Sequence, residues 1–237
     1  MIKYCFDLDE TICLTPSSRK YEEAVPLYPV IHKINELYNA GNIITIFTAR
    51  GNTSGVDYNQ LTKSQLEKWG VSYNKLIDKN KPDFDLLIDD KAINSKTWRE
   101  QEKVKIVGFV CGAFDLLHSG HCLYLKEAKS ICDWLIVGLH SNPRLDRSEK
   151  NVPVQSIEER TIQLESLKYV DQVEVYDTEK DLETLLKHIR PNVRILGSDC
   201  RGKKITGEEF CDAVYYHERS HEWSSSDLRK RCLQNVK

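Results

Sequence analysis

The alternation of short apolar runs with helix-periodic segments constrains the fold of this chain most strongly. Continuous apolar runs occupy residues 2–6 and 43–47, and between them apolar side chains recur at helical spacing over residues 27–38. A second helical segment near 60–69 is followed by an apolar run at 86–88. Because parallel strands need long crossover connections, this order predicts a parallel sheet flanked by helices.

The alternation stops in a polar segment at 91–104 and then begins again. The second set of predicted elements is strand 106–110, helix 119–130, strand 134–139, helix 157–167, strand 173–176, helix 182–189, strand 193–196, strand 213–217 and a last helix from 225. A chain of 237 residues has room for two small domains. We predict an α/β protein with two doubly wound, Rossmann-like domains, at residues 1–100 and 101–237.

Composition and charge exclude several classes of protein. The 34 Lys and Arg residues are balanced by 36 Asp and Glu residues, so the chain lacks the basic excess typical of proteins that bind nucleic acid. No apolar run approaches the roughly 20 residues that cross a bilayer, and the acidic N-terminal segment lacks the pattern of a signal peptide. None of the eight cysteines stands in a Cys-x-x-Cys pair. We expect a cytoplasmic protein with mostly buried thiols and no membrane insertion, and a homodimer is left open.

Polar side chains follow the strands predicted in the first half. Asp7 and Asp9 follow the first strand, Thr48 follows the second, and Asp89 and Asp90 follow the third. The carboxyl ends of parallel strands meet at one edge of a sheet, so these carboxylates would repel one another unless a cation such as Mg²⁺ joins them. One aspartate could then attack phosphorus while its neighbour handles the proton. An acidic turn that caps a helix is the alternative.

These residues resemble a known superfamily. FDLDETI at 6–12, Thr48, a lysine before Pro82 and IDD at 88–90 are similar to the haloacid dehalogenase (HAD) superfamily of phosphatases, in particular to small members linked to capsule biosynthesis. The resemblance covers the first domain and implies a HAD-like fold. The segments between the motifs have no room for a large cap domain.

The resemblance implies a role for each motif residue. Asp7 is the nucleophile that forms an aspartyl-phosphate from a phosphate monoester, and Asp9 is the general acid and base. Thr48 and Lys81 bind the phosphoryl group, with Lys79 as an alternative to Lys81. The implied Mg²⁺ ligands are Asp7, the backbone carbonyl of Asp9, and Asp89 or Asp90. A catalytically silent scaffold domain remains an alternative.

The second half carries the segment CGAFDLLHSGH, at 111–121, directly after a predicted strand. His118 and His121 are three residues apart at the start of a predicted helix and therefore lie on one face. A helix N-terminus attracts phosphate, and imidazoles there can donate hydrogen bonds as charge builds in a transition state. A zinc pair is the alternative, but no Cys or His cluster nearby supplies a third ligand. A P-loop-like pattern at 197–204 lacks the Ser or Thr that must follow its lysine.

GAFDLLHSGH at 112–121 is similar to the G-x-F-D-x-x-H-x-G-H signature of the cytidylyltransferase-like nucleotidyltransferases. RSHEWSSS at 219–226 resembles their second signature, R-T-x-G-I-S-T-S, more loosely, because a glutamate and a tryptophan replace its glycine and isoleucine. ILGSDCRGKK at 195–204 looks like the G-D-D-W-x-G-K segment of glycerol-phosphate cytidylyltransferases, with a serine and a cysteine in place of an aspartate and the tryptophan.

This second resemblance implies that His118 and His121 stabilise a triphosphate during attack on its α-phosphorus. The nucleotide-binding residues that it implies are Gly112, Ala113, Phe114, Asp115, Gly120, Gly197 and Asp199. The phosphate-binding residues that it implies are Arg160, Arg219, Ser224 and Ser225.

The two resemblances together predict a bifunctional enzyme of capsule or cell-surface polymer synthesis. The second domain would transfer CMP from CTP to a small phosphorylated alcohol, such as glycerol phosphate or another polyol or sugar phosphate, and release pyrophosphate. The first domain would be a Mg²⁺-dependent phosphatase. A nucleotidyltransferase that uses ATP is the alternative for the second domain.

Overall fold

The chain divides into two compact units, Met1–Lys105 and Ile106–Lys237. The computed structural model describes residues 1–16, 18–78, 92–219 and 221–234. The division lies slightly beyond the predicted boundary at residue 100, because the last helix described in the first unit, Ser95–Gln101, packs within that unit. The ring of Trp98 contacts the ring of Phe6 edge to face, with centroids 5.1 Å apart.

The first unit contains a small parallel sheet and a short antiparallel hairpin. Its elements are β1 (Lys3–Asp7), β2 (Cys13–Leu14), β3 (Val25–Pro26), α1 (Tyr28–Asn39), β4 (Ile43–Phe47), α2 (Asn59–Lys68), β5 (Lys75–Ile77) and α3 (Ser95–Gln101). Within the described residues the sheet has the order β1-β4-β5 with parallel pairing, and β2 pairs with β3. The strand predicted at 86–88 lies outside the described residues.

The register of this sheet brings two predicted site residues to one edge. Asp7, the last residue of β1, pairs with Phe47, the last residue of β4, so Thr48 follows at the same edge. In β4, Ile44 and Ile46 are fully buried, as expected for alternate residues of a strand with one face towards a core.

The second unit is a five-stranded α/β sheet. Its elements are β6 (Val107–Gly112), α4 (Ser119–Ser130), β7 (Trp134–His140), α5 (Ile157–Glu165), β8 (Gln172–Tyr176), α6 (Glu179–Ile189), β9 (Val193–Gly197), β10 (Ala213–His217) and α7 (Ser225–Gln234). The strand order is β10-β9-β6-β7-β8, and all pairs are parallel. The predicted α/β fold with parallel sheets is confirmed.

The strand order of the second unit determines where a ligand can bind. The chain winds outward from β6 through β7 to β8 and then returns to the other side as β9 and β10. Ligands of open α/β sheets bind outside the carboxyl ends of the strands at such a switch point, here between β6 and β9. A core of Phe109, Ile136, Tyr176, Leu182 and Leu186 supports one face of this sheet. Among the residues that the structure describes, no helix has the length and apolar character needed to cross a membrane.

Candidate functional sites

Asp9 of the first unit is held by a buried arginine that the sequence analysis missed. Both carboxylate oxygens of Asp9 accept hydrogen bonds from Arg50 Nε, at 3.1 and 3.0 Å, and Oδ1 also accepts one from Arg50 Nη2 at 2.7 Å. Thr15 donates a further hydrogen bond at 2.6 Å, and Arg50 itself donates to Gln65 at 2.6 Å. The Arg50 side chain is 1% exposed. The carboxylate of Asp9 therefore has a fixed orientation beside the end of β1.

The hydrogen bonds of the Asp9 carboxylate limit which of its atoms can bind the predicted Mg²⁺. Because the Asp9 carboxylate is already bonded to Arg50 and Thr15, its backbone carbonyl is the group left for a cation, as the HAD resemblance implies. Asp7 ends β1, and its Oδ1 accepts a hydrogen bond from the backbone N–H of Leu8 at 2.9 Å. Within the described ranges no group of three or more His, Cys, Asp or Glu side chains is placed to hold a metal ion. The other predicted residues of this site, Lys79, Lys81, Asp89 and Asp90, lie outside those ranges.

A cavity of about 270 Å³ lies beside Thr48, the residue that follows β4. Its lining is mostly polar and includes Asp57, Asn59, Thr62 and Asp78. Asn59 donates its backbone N–H to Asp57 at 2.8 Å and its side-chain amide to Asp78. Thr62 is 1% exposed, and its Oγ1 has no partner among the described residues. The cavity therefore offers carboxylate, amide and hydroxyl groups next to a residue predicted to bind phosphate.

In the second unit, His118 and His121 form a stacked pair at the start of α4. His118 is the N-cap, and its Nδ1 accepts a hydrogen bond from the backbone N–H of Gly120 at 3.1 Å, so the neutral ring carries its proton on Nε2. The rings of His118 and His121 lie 4.0 Å apart at an angle of 25°. Phe114 packs against His121 with a centroid separation of 5.3 Å. The structure thus brings together the two imidazoles that the sequence predicted to act jointly.

Burial and neighbouring groups lower the pKa of both imidazoles. Burial lowers the pKa of His121 from 6.5 to about 4, with the adjacent His118 as the next cause. Burial also lowers the pKa of His118, followed by its interactions with His221 and Arg219. A phosphate bound beside these rings would favour their protonated forms, because an opposite charge stabilises the charged state.

A third histidine, His221, lies against the same helix terminus. A Cβ atom added to Gly120 would lie 2.5 Å from Cε1 of His221 and 2.9 Å from Cε1 of His118, so only glycine fits between these rings. His221 stacks on Trp223 with centroids 5.0 Å apart. No sequence signal marks His221, because it occupies the variable position of the second signature, where no residue type is expected.

The start of α7 meets the loop that precedes α4. Ser225 Oγ donates to the backbone carbonyl of Asp115 at 2.8 Å, and Ser224 Oγ accepts the backbone N–H of Asp227 at 3.1 Å. Arg219 Nε donates to the carbonyl of His221 at 3.0 Å, and Arg219 also donates to the carbonyl of Trp223. Two predicted phosphate-binding serines therefore stand at a helix N-terminus, and the predicted arginine holds the segment before it.

Asp115 anchors this loop through its side chain. Its carboxylate accepts the backbone N–H groups of Val154 and Gln155 at 2.9 and 3.0 Å and an N–H group of Arg229. Burial alone would raise the pKa of Asp115, but these hydrogen bonds lower it overall. Phe114, with φ of 46°, is one of the few residues with left-handed backbone, which marks the turn as strained. We infer that Asp115 stabilises the turn, and its predicted contact with a nucleotide stays a prediction.

Comparison with known proteins identifies the family of the second unit. A family model described as Cytidylyltransferase-like matches residues 109–231, just over half of the chain. The chain belongs to the cytidylyltransferase-like family. The stacked histidines, the Asp115 loop and the start of α7 all lie within the matched residues.

The chain is also similar in sequence to curated proteins. The chain is 38% identical over 138 residues to the bifunctional protein HldE of Wolinella succinogenes, covering 58% of this chain and 28% of that protein. It is 32% identical over 170 residues to HldE of Campylobacter jejuni, covering 70% and 35%. The chain thus spans about a third or less of the length of these relatives. Among solved structures, a lipopolysaccharide core biosynthesis protein from Thermoplasma volcanium matches 55% of this chain and 88% of its own, with 22% identity and a TM-score of 0.36.

Arg160 of the cytidylyltransferase-like unit is buried and binds several backbone carbonyls. Its guanidinium donates to the carbonyls of Ala113 and His140 at 2.8 Å each and to that of Ser141 at 2.7 Å. Its Nε donates to the carbonyls of Gln155 and Ser156 at 3.2 and 3.3 Å. Arg160 is 2% exposed. The geometry favours a role in positioning the loop after β6, and the predicted contact with phosphate stays a prediction.

The remaining predicted nucleotide-binding residues lie at the ends of β6 and β9. Gly112 ends β6, and a Cβ atom there would lie 3.4 Å from the ring of Phe114. Gly197 ends β9, and a Cβ atom there would lie 2.5 Å from Oδ1 of Asp199. Since β6 and β9 are neighbours in the sheet, these groups border the switch point of the cytidylyltransferase-like unit.

Proposed function

We propose that the second unit transfers CMP from CTP to a small phosphorylated alcohol, forming a CDP-alcohol and pyrophosphate. The observation that carries this proposal is the stacked pair of imidazoles at the start of α4, in a unit that belongs to the cytidylyltransferase-like family. Glycerol phosphate is the leading acceptor, followed by other polyol or sugar phosphates. This choice is supported by the likeness of residues 195–204 to glycerol-phosphate cytidylyltransferases.

The proposed reaction is an in-line displacement at the α-phosphorus of the nucleotide. A phosphate oxygen of the acceptor forms a bond to that phosphorus, the bond to the oxygen that bridges to the β-phosphorus breaks, and pyrophosphate leaves with the electron pair. His118 and His121 donate hydrogen bonds to the phosphate oxygens on which negative charge develops. The N-terminal N–H groups of α4 and α7 add to this stabilisation. Mg²⁺, when bound with the nucleotide, supplies further neutralisation of charge.

An assay of pyrophosphate release tests this proposal and its alternative. The enzyme is incubated with CTP or ATP and with glycerol phosphate, other polyol or sugar phosphates, or phosphoethanolamine. We expect release with CTP and a polyol phosphate. Release with ATP and none with CTP would contradict the choice of CTP. That choice depends on residues 195–204, where Ser198 and Cys200 differ from the pattern of glycerol-phosphate cytidylyltransferases.

For the first unit, the proposed activity is hydrolysis of a phosphate monoester through an aspartyl-phosphate on Asp7. Three features support it: Asp7 ends β1 and Thr48 follows the paired strand β4 at one edge of the sheet, Arg50 fixes the orientation of Asp9, and a polar cavity lies beside Thr48. Asp7 attacks the phosphorus, the bond from phosphorus to the alcohol oxygen breaks, and the alcohol leaves with a proton. Water then attacks the phosphorus of the aspartyl-phosphate, the bond to Asp7 breaks, and phosphate is released. The HAD resemblance assigns the proton transfers to the leaving oxygen and from the water to Asp9, whose carboxylate is paired with Arg50 in this structure.

Phosphate release from p-nitrophenyl phosphate tests the phosphatase activity. We expect Asp7→Asn to abolish release, because the amide is a far weaker nucleophile than the carboxylate. Equal release by the wild-type protein and by this variant would favour the alternative, a catalytically silent scaffold domain.

A further inference from the structure

Both ring nitrogens of His221 are buried and lack a hydrogen-bond partner among the described residues. In the described part of the chain, six buried side-chain nitrogen or oxygen atoms lack a hydrogen-bond partner, and three of them are Nδ1 and Nε2 of His221 and Nδ1 of His121. Burial of a polar atom without a partner costs free energy, so such atoms are rare in folded proteins. Their concentration at one place leaves three polar atoms available to a bound ligand.

The surroundings of His221 favour an anion as that ligand. The ring lies against Gly120, the second residue of α4. It also lies four residues before the first residue of α7, whose Ser225 is bonded to the loop that precedes α4. The N-terminus of α4 therefore lies at this imidazole and that of α7 follows shortly after it in the chain, and each carries a partial positive charge. Arg219, bonded to the carbonyl of His221, adds a full positive charge.

The ring of His221 is held in place before any ligand binds. Trp223 stacks on it at an angle of 25°, and Cε1 of His221 lies 2.5 Å from the place that a Cβ atom of residue 120 would occupy. The hydrogen bonds from Arg219 to the carbonyls of His221 and Trp223 fix the backbone of the same segment. A ring fixed in this way loses little conformational entropy on binding.

Building on the nucleotidyl transfer proposed above, we propose that His221 is a third ligand-binding imidazole, which hydrogen-bonds the polyphosphate chain of the nucleotide beside His118 and His121. The polyphosphate is the part of the substrate with the highest charge, and it matches the two helix N-termini and Arg219. Trp223, which is 48% exposed, acts as a positioning residue through its contact with His221.

Calorimetric binding of CTP, ATP, inorganic pyrophosphate and CMP to the full chain tests this role. We expect His221→Ala to weaken binding of the triphosphate and of pyrophosphate by about 10- to 100-fold, the effect of a lost hydrogen bond to a charged group. Binding of CMP, which lacks the β- and γ-phosphates, should change by less than about twofold. His221→Gln, which keeps a side-chain N–H donor, should recover part of the affinity. His188→Ala, at an exposed position of α6, is the matched control.

Distinct results would overturn this inference and the proposed function. If the wild-type protein transfers nucleotide and His221→Ala binds pyrophosphate as tightly as wild type, the role of His221 is wrong while the proposed function stands. An equal loss for CMP and pyrophosphate would also overturn it, because it would indicate a structural role. If the wild-type protein neither binds nor transfers any nucleotide, the proposed function fails as well. If His221→Ala does not fold, His221→Leu and His221→Gln replace it. The role is overturned if His221→Leu binds pyrophosphate with wild-type affinity, or if a folded His221→Gln binds it no more tightly than His221→Leu.

Discussion

The pairing of Asp9 with Arg50 depends on individual side chains that lie far apart in the sequence. The two residues are separated by 41 positions, and Arg50 is bonded to Gln65 as well as to Asp9. The sequence indicated Asp9 because its neighbours form a motif. Arg50 stands two residues after Thr48 and carries no such signal, since nothing in its local pattern shows that its side chain is buried. Contacts between distant residues are the part of the site that sequence patterns do not report.

We expect Arg50→Leu to destabilise the first unit by about 3 kcal/mol, because it leaves a half-buried carboxylate without its cation. Arg19→Leu is the matched control. Arg19 also pairs with a carboxylate, Glu10, but the two side chains are 63% and 51% exposed at a distance of 3.5 Å. Such a pair contributes less than about 1 kcal/mol. Hydrogen exchange of the β1 and β4 amides measures both changes, and equal effects of the two substitutions would contradict the importance of the buried pair.

The depressed pKa of His121 makes stability depend on pH. The folded state binds this proton with a pKa of about 4, below the ordinary value of 6.5, so the unfolded chain binds more protons between these values. The stabilising contribution is therefore complete above pH 6.5 and is lost as the pH falls towards 4. Between pH 7 and pH 5 the loss amounts to about 2 kcal/mol.

Urea unfolding of the wild-type protein and of His121→Gln at the two pH values measures this contribution. We expect the variant to lose about 2 kcal/mol less than wild type on acidification, because glutamine does not titrate in this range. His188→Gln, at an exposed position, should keep the wild-type dependence. Identical pH dependence in all three proteins would show that His121 is not held neutral by the fold.

At the scale of elements, the predicted bounds agreed best with the observed ones where the sequence pattern changes at both ends of the element. The predicted bounds of β4, α4 and β10 are those observed. The hairpin of β2 and β3 was missed because two-residue strands show no period. Helix α6 begins at Glu179, three residues before the predicted start, because its first turn is polar and its start is set by the N-cap Thr178 and not by the apolar period.

The cap of α6 gives a prediction at this scale. Thr178 accepts the backbone N–H of Asp181 at 3.2 Å, and Asp181 accepts the backbone N–H of Thr178 at 3.0 Å. We expect Thr178→Ala to lower the free energy of unfolding by about 1 kcal/mol. The substitution removes the hydroxyl oxygen that accepts the Asp181 N–H and weakens the reciprocal bond from the Thr178 N–H to the Asp181 carboxylate. Thr184→Ala, inside the same helix and exposed, should be neutral or slightly stabilising, because alanine is the better helix former. Equal destabilisation in urea titrations would contradict the capping role.

Across the whole chain, the repeated strand–helix alternation was enough to predict two α/β units with parallel sheets. The order of the strands in the second sheet was not predicted, since β6 and β9 pair across more than 80 residues and no local pattern reports which strands become neighbours. His221 illustrates the same limit within the site. It lies 101 positions after Gly120, and only the fold brings the two together.

The division into two units predicts that the two proposed activities are separable by substitution. Each proposed reaction uses side chains of one unit only: Asp7, Asp9 and Thr48 of the first, and His118 and His121 of the second. We expect His121→Ala to lower kcat for pyrophosphate release by about 100-fold or more, as for a lost transition-state donor, and to leave phosphate release within about twofold of wild type. Asp7→Asn should give the reverse pattern. Loss of both activities in either folded variant would mean that the two reactions share a step, and the double variant, compared with the sum of the single effects, would measure that coupling.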